Sequence, residues 1–335
     1  MSETINYNLH NNMLIIGKAS TNYGLLDIFY WNNPNAVADA YGKNSNITKA
    51  FNEAYSIGVQ DIFMMNVQKK RDYLEIIDII KQNDFSYIVL TDLFLTDTFD
   101  DVTDAEKIHN YLAYILGSIG LDHESVFFVT DKHASLFENI DDYIGYMNAG
   151  IKSFKSMCSG KANKENIVVV ANNLKNKEFA NVTLASVVCT TPINKYPTYD
   201  YGEPIFFIDS SDNPADYAYF KNQTVVNTTV ENLLNCRNGG AEKVFPVSRI
   251  LKYIKRSIDY SEFNGRFYSP QIKLRINKKI DSILNSMVGT IINDYEILDV
   301  VAYKGDPGTI NVVCYLDVKP AFCFETCRIE QEVVI

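Results

Sequence analysis

The sequence predicts a layered α/β domain followed by a smaller α+β unit, on three observations. From residue 13 to about residue 208, short β-branched or aromatic runs alternate with helix-length amphipathic stretches. Several of those runs are apolar throughout, the pattern of strands covered on both faces of a sheet. Residues 209–246 then lose the periodicity: Asp209, Asp212, Asn213, Pro214, Asn227, Asn232, Asn235, Asn238 and Gly239-Gly240 mark an irregular stretch.

Taken in order, the strands are Met13–Ile16, Asp61–Val67, Tyr87–Thr91, Val126–Thr130, Ile167–Ala171 and Ile205–Ile208. Helical spacing joins Leu74, Ile77 and Ile80, and again Ile108, Tyr111, Leu112, Ile115 and Leu116, the latter in a helix spanning Asp104–Gly117. Beyond the irregular stretch, Ser248 reads as the N-cap of a helix Arg249–Ile258. Ser269 followed by Pro270 starts a long helix with Ile276, Ile280, Ile283, Leu284, Met287, Val288 and Ile291 on one face. Gly305-Asp306-Pro307-Gly308 is a turn between strands near Glu296–Tyr303 and Ile310–Val318. Residues Phe322–Ile335 read as extended chain with no turn signal to fold them back. The expected boundaries are an arm over 1–12, the α/β domain over 13–240, the second unit over 241–322 and a tail over 323–335.

Composition excludes several classes of protein. At 335 residues the chain has room for two domains of roughly 150 residues, and its 47% apolar and 21% charged residues are an ordinary globular mixture. A formal charge of -10 argues against a surface built as a whole for nucleic acid or anionic lipid. The longest charge-free stretch near the middle, Phe179 to Asn194, is interrupted by Asn, Thr and Pro, so insertion into a membrane is not expected. The first cation is Lys18, with no basic segment ahead of an apolar run, and folding in a cytoplasm is expected. Six cysteines in a chain of this size are expected to be reduced.

Charge is unevenly distributed. Between Lys243 and Lys279 ten basic residues face two acidic ones, a net +8, whereas the rest of the chain carries 21 basic and 39 acidic residues. One short region is therefore suited to a negative surface, although cations on a helix also serve simply as its solvated face.

Catalytic motifs are mostly missing. Gly17-Lys18-Ala19-Ser20-Thr21 lacks the order of a P-loop, and no three-glycine dinucleotide turn follows the first strand. Asp92 at a strand end, followed by Asp97, Asp100, Asp101 and Asp104, has the ligand chemistry of a hard-cation site, but acidic residues there equally cap helices and loops. Asp209-Ser210-Ser211-Asp212-Asn213 resembles half of a metal-adhesion motif without its last serine. His10, His109, His123 and His133 share no ligand spacing with the cysteines, and capping or solvated roles are expected of them. Cys323 and Cys327 sit four apart on one extended segment, as core hydrophobes or as partners of other cysteines across a sheet or interface. No cofactor or metal is expected.

Three segments together resemble the phage contractile tail sheath family. Leu14-Ile15-Ile16-Gly17-Lys18-Ala19 through Tyr41-Gly42, then Ile47-Thr48-Lys49-Ala50-Phe51 and Ile62–Val67, are similar to the sheath opening. Val168-Val169-Val170-Ala171-Asn172, Leu184–Val188 and Thr191-Pro192 resemble its middle strand, helix and proline exit. Val247–Ile258, the long helix, Tyr295 and Asp317-Val318-Lys319-Pro320-Ala321 occur in the family's C-terminal order. The N-terminal arm is shorter than is common in the family, which puts its linking role in question, and the chain is short, implying a near-minimal protomer.

The resemblance implies a structural subunit that is not an enzyme. It would polymerise helically with its own copies around an inner tail tube, with baseplate and tail terminator proteins as further partners and no direct contact with nucleic acid. It would contract to drive the tube through a host envelope for genome ejection, as part of a virion assembled in the host cytoplasm. The alternatives are the sheath of a phage-tail-like bacteriocin or injection system, or a metal-dependent cytosolic α/β enzyme using Asp92. Under the sheath reading the second unit faces the tube, and Arg249, Lys252, Lys255, Arg256, Lys273, Arg275, Lys278 and Lys279 meet an acidic tube exterior. Phe324, Arg328, Ile329, Val333, Val334 and Ile335 lie on the tail expected to donate a strand to a neighbour. Deleting residues 324–335 is then expected to leave the body folded but unable to build long sheaths.

Overall fold

The computed structural model describes residues 11–83, 85–100, 107–108, 111–120, 125–158, 167–193, 203–206, 219–221, 224–226, 245–304, 310–321 and 326–334. The chain divides into two units, residues 1–191 with 197–238 and residues 192–196 with 239–335.

The first unit runs β1 (Met13–Gly17), β2 (Ile28–Trp31), α1 (Pro34–Tyr41), α2 (Asn46–Ile57), β3 (Ile62–Asn66), α3 (Asp72–Lys81), β4 (Tyr87–Phe94), β5 (Phe99–Asp100), β6 (Lys107–Ile108), α4 (Tyr111–Ile119), β7 (Val126–Thr130), α5 (Ile140–Cys158), β8 (Ile167–Val170), α6 (Ala180–Thr190), β9 (Tyr219–Lys221) and β10 (Thr224–Val226). Six strands form one sheet in the order β2-β3-β1-β4-β7-β8, parallel except for the antiparallel edge strand β2. The predicted apolar runs are its interior: β1, β3, β7 and β8 are buried along their whole length. Local chemistry sets the helix limits. Asn33 caps α1 ahead of Pro34, the Ser45 hydroxyl accepts from the Thr48 amide at the start of α2, and Gly58 closes α2 with φ +105, where a side chain would be strained. Helix α6 is buried from Ala180 to Cys189, which is why its sequence carries almost no amphipathic signal. Its Asn181 amide donates to the carbonyls of Leu90 on β4 and Phe128 on β7, at 2.9 and 3.1 Å.

Several expectations need correction. The helix predicted over Asp104–Gly117 starts only at Tyr111, because Lys107–Ile108 pairs antiparallel with Phe99–Asp100 as a small ribbon. Ile205–Ile208 is not a strand where described: Pro204 makes an isolated bridge to Leu174 and the chain bends at Ile205 and Phe206. The stretch read as irregular contains the β9–β10 hairpin, whose three-residue strands are too short to leave a periodic signal. Strand β2 went unpredicted, since four residues between turns show no clear alternation.

The second unit contains α7 (Phe245–Ser257), α8 (Pro270–Met287), β11 (Ile292–Lys304), β12 (Ile310–Pro320) and β13 (Cys327–Val334). Helix α7 begins at Phe245, ahead of the cap expected at Ser248. Ser269 does cap α8, its hydroxyl accepting from the Ile272 amide. The strands form an antiparallel sheet in the order β11-β12-β13, and α8 packs on β11 while α7 packs on β12 and β13. Between helices and sheet lies one core containing Ile250, Ile254, Ile276, Ile280, Leu284, Val300, Val312, Leu316, Val318, Cys327 and Ile329.

The tail therefore does fold back. Residues 327–334 pair with β12 from Cys327↔Val318 to Val334↔Asn311, and the buried side chains of Cys327 and Ile329 belong to the core. Absence of a Gly or Pro turn signal after Pro320 did not prevent this, because the apolar period-2 face outweighs local turn preference. Truncation would thus remove core residues, contrary to the expectation that the core is untouched. Cys323, Phe324, the 305–308 turn and Ile335 lie outside the described residues.

Candidate assembly surfaces

The eight cations predicted to form a contact surface sort into distinct environments. Arg249 is 4% exposed, so the Arg249 side chain belongs to the interior of α7 and presents little to a partner. Lys252, Lys255 and Arg256 on α7 are half-buried. On α8, Lys273 pairs with Asp299 of β11 at 2.7 Å. Lys279 and Arg275 both pair with Glu262, at 2.7 and 3.1 Å. Lys278 is exposed and makes no ion pair among the described residues.

These pairs leave an electrostatic signature. The Lys279 ammonium, with Arg275 beside it, holds the Glu262 carboxyl below its usual range, and Lys273 does the same to Asp299. Glu262 is positioned by a 3-10 turn, Ser261–Phe263, in which Phe263 is buried and its ring lies 5.7 Å from the Arg275 guanidinium and 5.6 Å from the Lys279 ammonium. Asp259 is lowered chiefly by accepting from the Ser261 amide and hydroxyl.

The strand β13 is tied to its neighbours by side chains as well as by its ladder. The Arg328 guanidinium donates to both oxygens of Asp317 on β12, at 2.9 and 3.1 Å, which lowers the Asp317 pKa. The Gln331 amide donates to the Lys255 carbonyl of α7 at 3.0 Å and accepts from the buried Tyr260 hydroxyl at 3.4 Å. Burial pushes the Cys314 thiol on β12 up to about 11. Spacing gave no warning of the Glu262 cluster: its members are 13 and 17 residues apart and belong to different elements.

The acidic positions in the first unit serve internal contacts. Asp92 accepts from the Lys18 amide at 2.7 Å, the Thr91 hydroxyl at 2.9 Å and the Asn46 amide at 2.5 Å. Asp97 accepts from the Phe94 amide and pairs with Lys70 at 2.7 Å. His133 caps the turn Ala134–Leu136 by accepting from the Ser135 amide. Among the described residues no three His, Cys, Asp or Glu side chains gather as a metal site, and no helix is long and apolar enough to cross a membrane. Asp101, Asp104, Asp209–Asn213, His10, His109 and His123 lie outside the described residues.

Neither a protein-family model nor a curated protein sequence matches the chain. Solved structures do. The sheath tail protein of Desulfitobacterium hafniense superposes with a TM-score of 0.62 at 10% identity, over 97% of this chain and 97% of that one. The helical sheath of the anti-feeding prophage in its contracted state gives 0.61 at 12% identity, over 92% and 89%. A chain of the contracted anti-feeding prophage baseplate gives 0.56 at 8%, over 89% and 86%. Sequence resemblance and superposition thus meet on one architecture: the chain has the fold of the contractile tail sheath proteins.

Proposed function

We propose that the chain is the repeating subunit of a contractile tail sheath, a structural protein without catalytic function. The observation that carries this is a likeness to sheath structures running over almost the whole of both chains, rather than over a common sub-motif. Copies joined through unlike surface patches form an open helix when the rotation does not close, which is the geometry of a sheath around a tube. Contraction in this reading consumes no nucleotide; the extended array is metastable and its subunits repack to a lower-energy arrangement when a baseplate triggers them. The proposed partners are other copies of the chain, an inner tube with an acidic exterior, and baseplate and terminator proteins.

The α8 cations, with Lys252, Lys255 and Arg256 of α7 and without the buried Arg249, supply the tube contact, through ion pairs of about 0–1 kcal/mol each, weak enough to be released together. Linkage between copies comes from β13. Its pairing with β12 reforms identically whether the strand belongs to the same chain or to a neighbour, so exchange of β13 joins protomers without new contacts. The device serves a phage tail that delivers a genome, within a virion assembled in the host cytoplasm. The second reading is the same device in a phage-tail-like bacteriocin or secretion/injection system, and the matches to the sheath and baseplate of the anti-feeding prophage support keeping it.

Negative-stain electron microscopy of the purified full chain tests the assembly. Long helical tubes are expected, and a species that stays monomeric at high concentration would overturn the proposal. Asp317→Cys with Arg328→Cys tests linkage: the disulfide is expected within one chain in monomers and between chains in tubes. Heads on the isolated particles separate the two readings.

A further inference from the structure

The α8 cations are not equally available to a partner, and the reason is built into the same unit. Glu262 uses both carboxylate oxygens internally, Oε1 on Lys279 and Oε2 on Arg275. The pair partners remain in solvent: side-chain exposure is 42% for Glu262, 48% for Arg275 and 23% for Lys279. Ion pairs of this kind are cheap to exchange. The buried Phe263 ring lies under both cations, so neither needs the carboxylate to stay in place. Arg275, Lys278 and Lys279 are neighbours at i, i+3 and i+4 on one helix face, and Glu262 covers two of the three. Asp259, the other nearby carboxylate, is committed through its two oxygens to Ser261.

We infer that Glu262 is an internal stand-in for an acidic partner, occupying Arg275 and Lys279 in the free protein and yielding them to the partner's carboxylates on contact. This rests on the reading of α8 as the face that meets an acidic surface. The exchange replaces one exposed carboxylate pair by another, so the contact has a favourable geometry but little net gain, and grip stays weak per subunit while a whole array adds up. A surface that must hold along a tube and then let go needs that property.

The test measures binding of the full chain to immobilised poly-L-glutamate in rising NaCl. Glu262→Gln keeps the hydrogen-bonding shape and removes the charge, and is expected to bind roughly fivefold tighter with a steeper loss in salt. Glu262→Asp keeps the charge and is expected to stay near wild type, which separates charge from the mere presence of the turn. Lys278→Glu is expected to bind more weakly. If Lys278→Glu weakens binding while Glu262→Gln matches wild type, the stand-in is refuted and the acidic-partner reading survives. If neither variant changes binding, the acidic-partner reading fails and takes the stand-in with it.

Discussion

At Gly17 an added Cβ would run into the Thr91 hydroxyl and approach the Asp92 carboxylate, the group that bonds the Lys18 amide and Asn46. These residues sit where β1 and β4 run side by side between crossovers to opposite sides, the place at which open α/β sheets ordinarily leave a ligand crevice. Here the Asp92 carboxylate at that place is taken up by hydrogen bonds from Lys18, Thr91 and Asn46. Gly17→Ala is expected to cost about 1–3 kcal/mol through overpacking, seen as a lower urea midpoint with an unchanged slope; an unchanged midpoint would show that Thr91 moves aside freely. Asp92 illustrates what spacing cannot convey. Its type was legible as cap or ligand, but its partners lie 74 and 46 residues away, and the fold alone brought them together. Arg249 is the converse case, a cation read as surface that the fold buries.

Among the elements, β13 has the most to lose. Asp317 has an ordinary pKa of 3.8 that Arg328 lowers in the folded chain, so its contribution is complete above that value and is lost as pH falls through the lower folded one. Amide exchange in β13 is therefore expected to accelerate relative to β8, which is wholly apolar, as pH is taken below about 3.8, after correction for intrinsic rates, and Asp317→Asn should abolish the difference. Deleting residues 327–335 removes Cys327 and Ile329 from the core and bares the β12 edge. The truncated chain is expected to lose at least 2–5 kcal/mol and to aggregate; a fully stable, monomeric product would mean that the strand adds little to its own unit. In α8, Ile280→Ala is expected to cost about 2–5 kcal/mol, because Ile280 is completely buried between helix and sheet.

Across the whole molecule, charge separates by unit. Residues 1–191 with 197–238 carry 29 acidic and 17 basic residues, whereas 192–196 with 239–335 carry 12 and 14. A polymer built by unlike contacts can set the acidic unit of one copy against the cationic helices of another, and its length is then expected to fall between low salt and about 0.5 M NaCl, where screening shortens to a few ångströms. Sedimentation across that range checks it, and salt-independent length would assign cohesion to apolar contact and strand exchange.

Strands β1, β3, β4, β7 and β8 and helix α8 were readable along the chain, because full burial leaves continuous apolar runs and a half-buried helix leaves a stripe at its own period, whereas the short strands β2, β5, β6, β9 and β10 left no such signal. Cap chemistry was legible at Ser269, but Ser248, also read as a cap, lies inside α7, and the caps Asn33 and Ser45 were not read. The family resemblance came from the same linear pattern, in the order of its segments. Three-dimensional folding settled the rest: that the tail returns to β12, that Lys107–Ile108 pairs rather than coils, and that Glu262 shields two of the cations. Each of these depends on which distant groups meet, and the energy of such a meeting is written in no single stretch of residues; it arises only when packing brings the partners within reach.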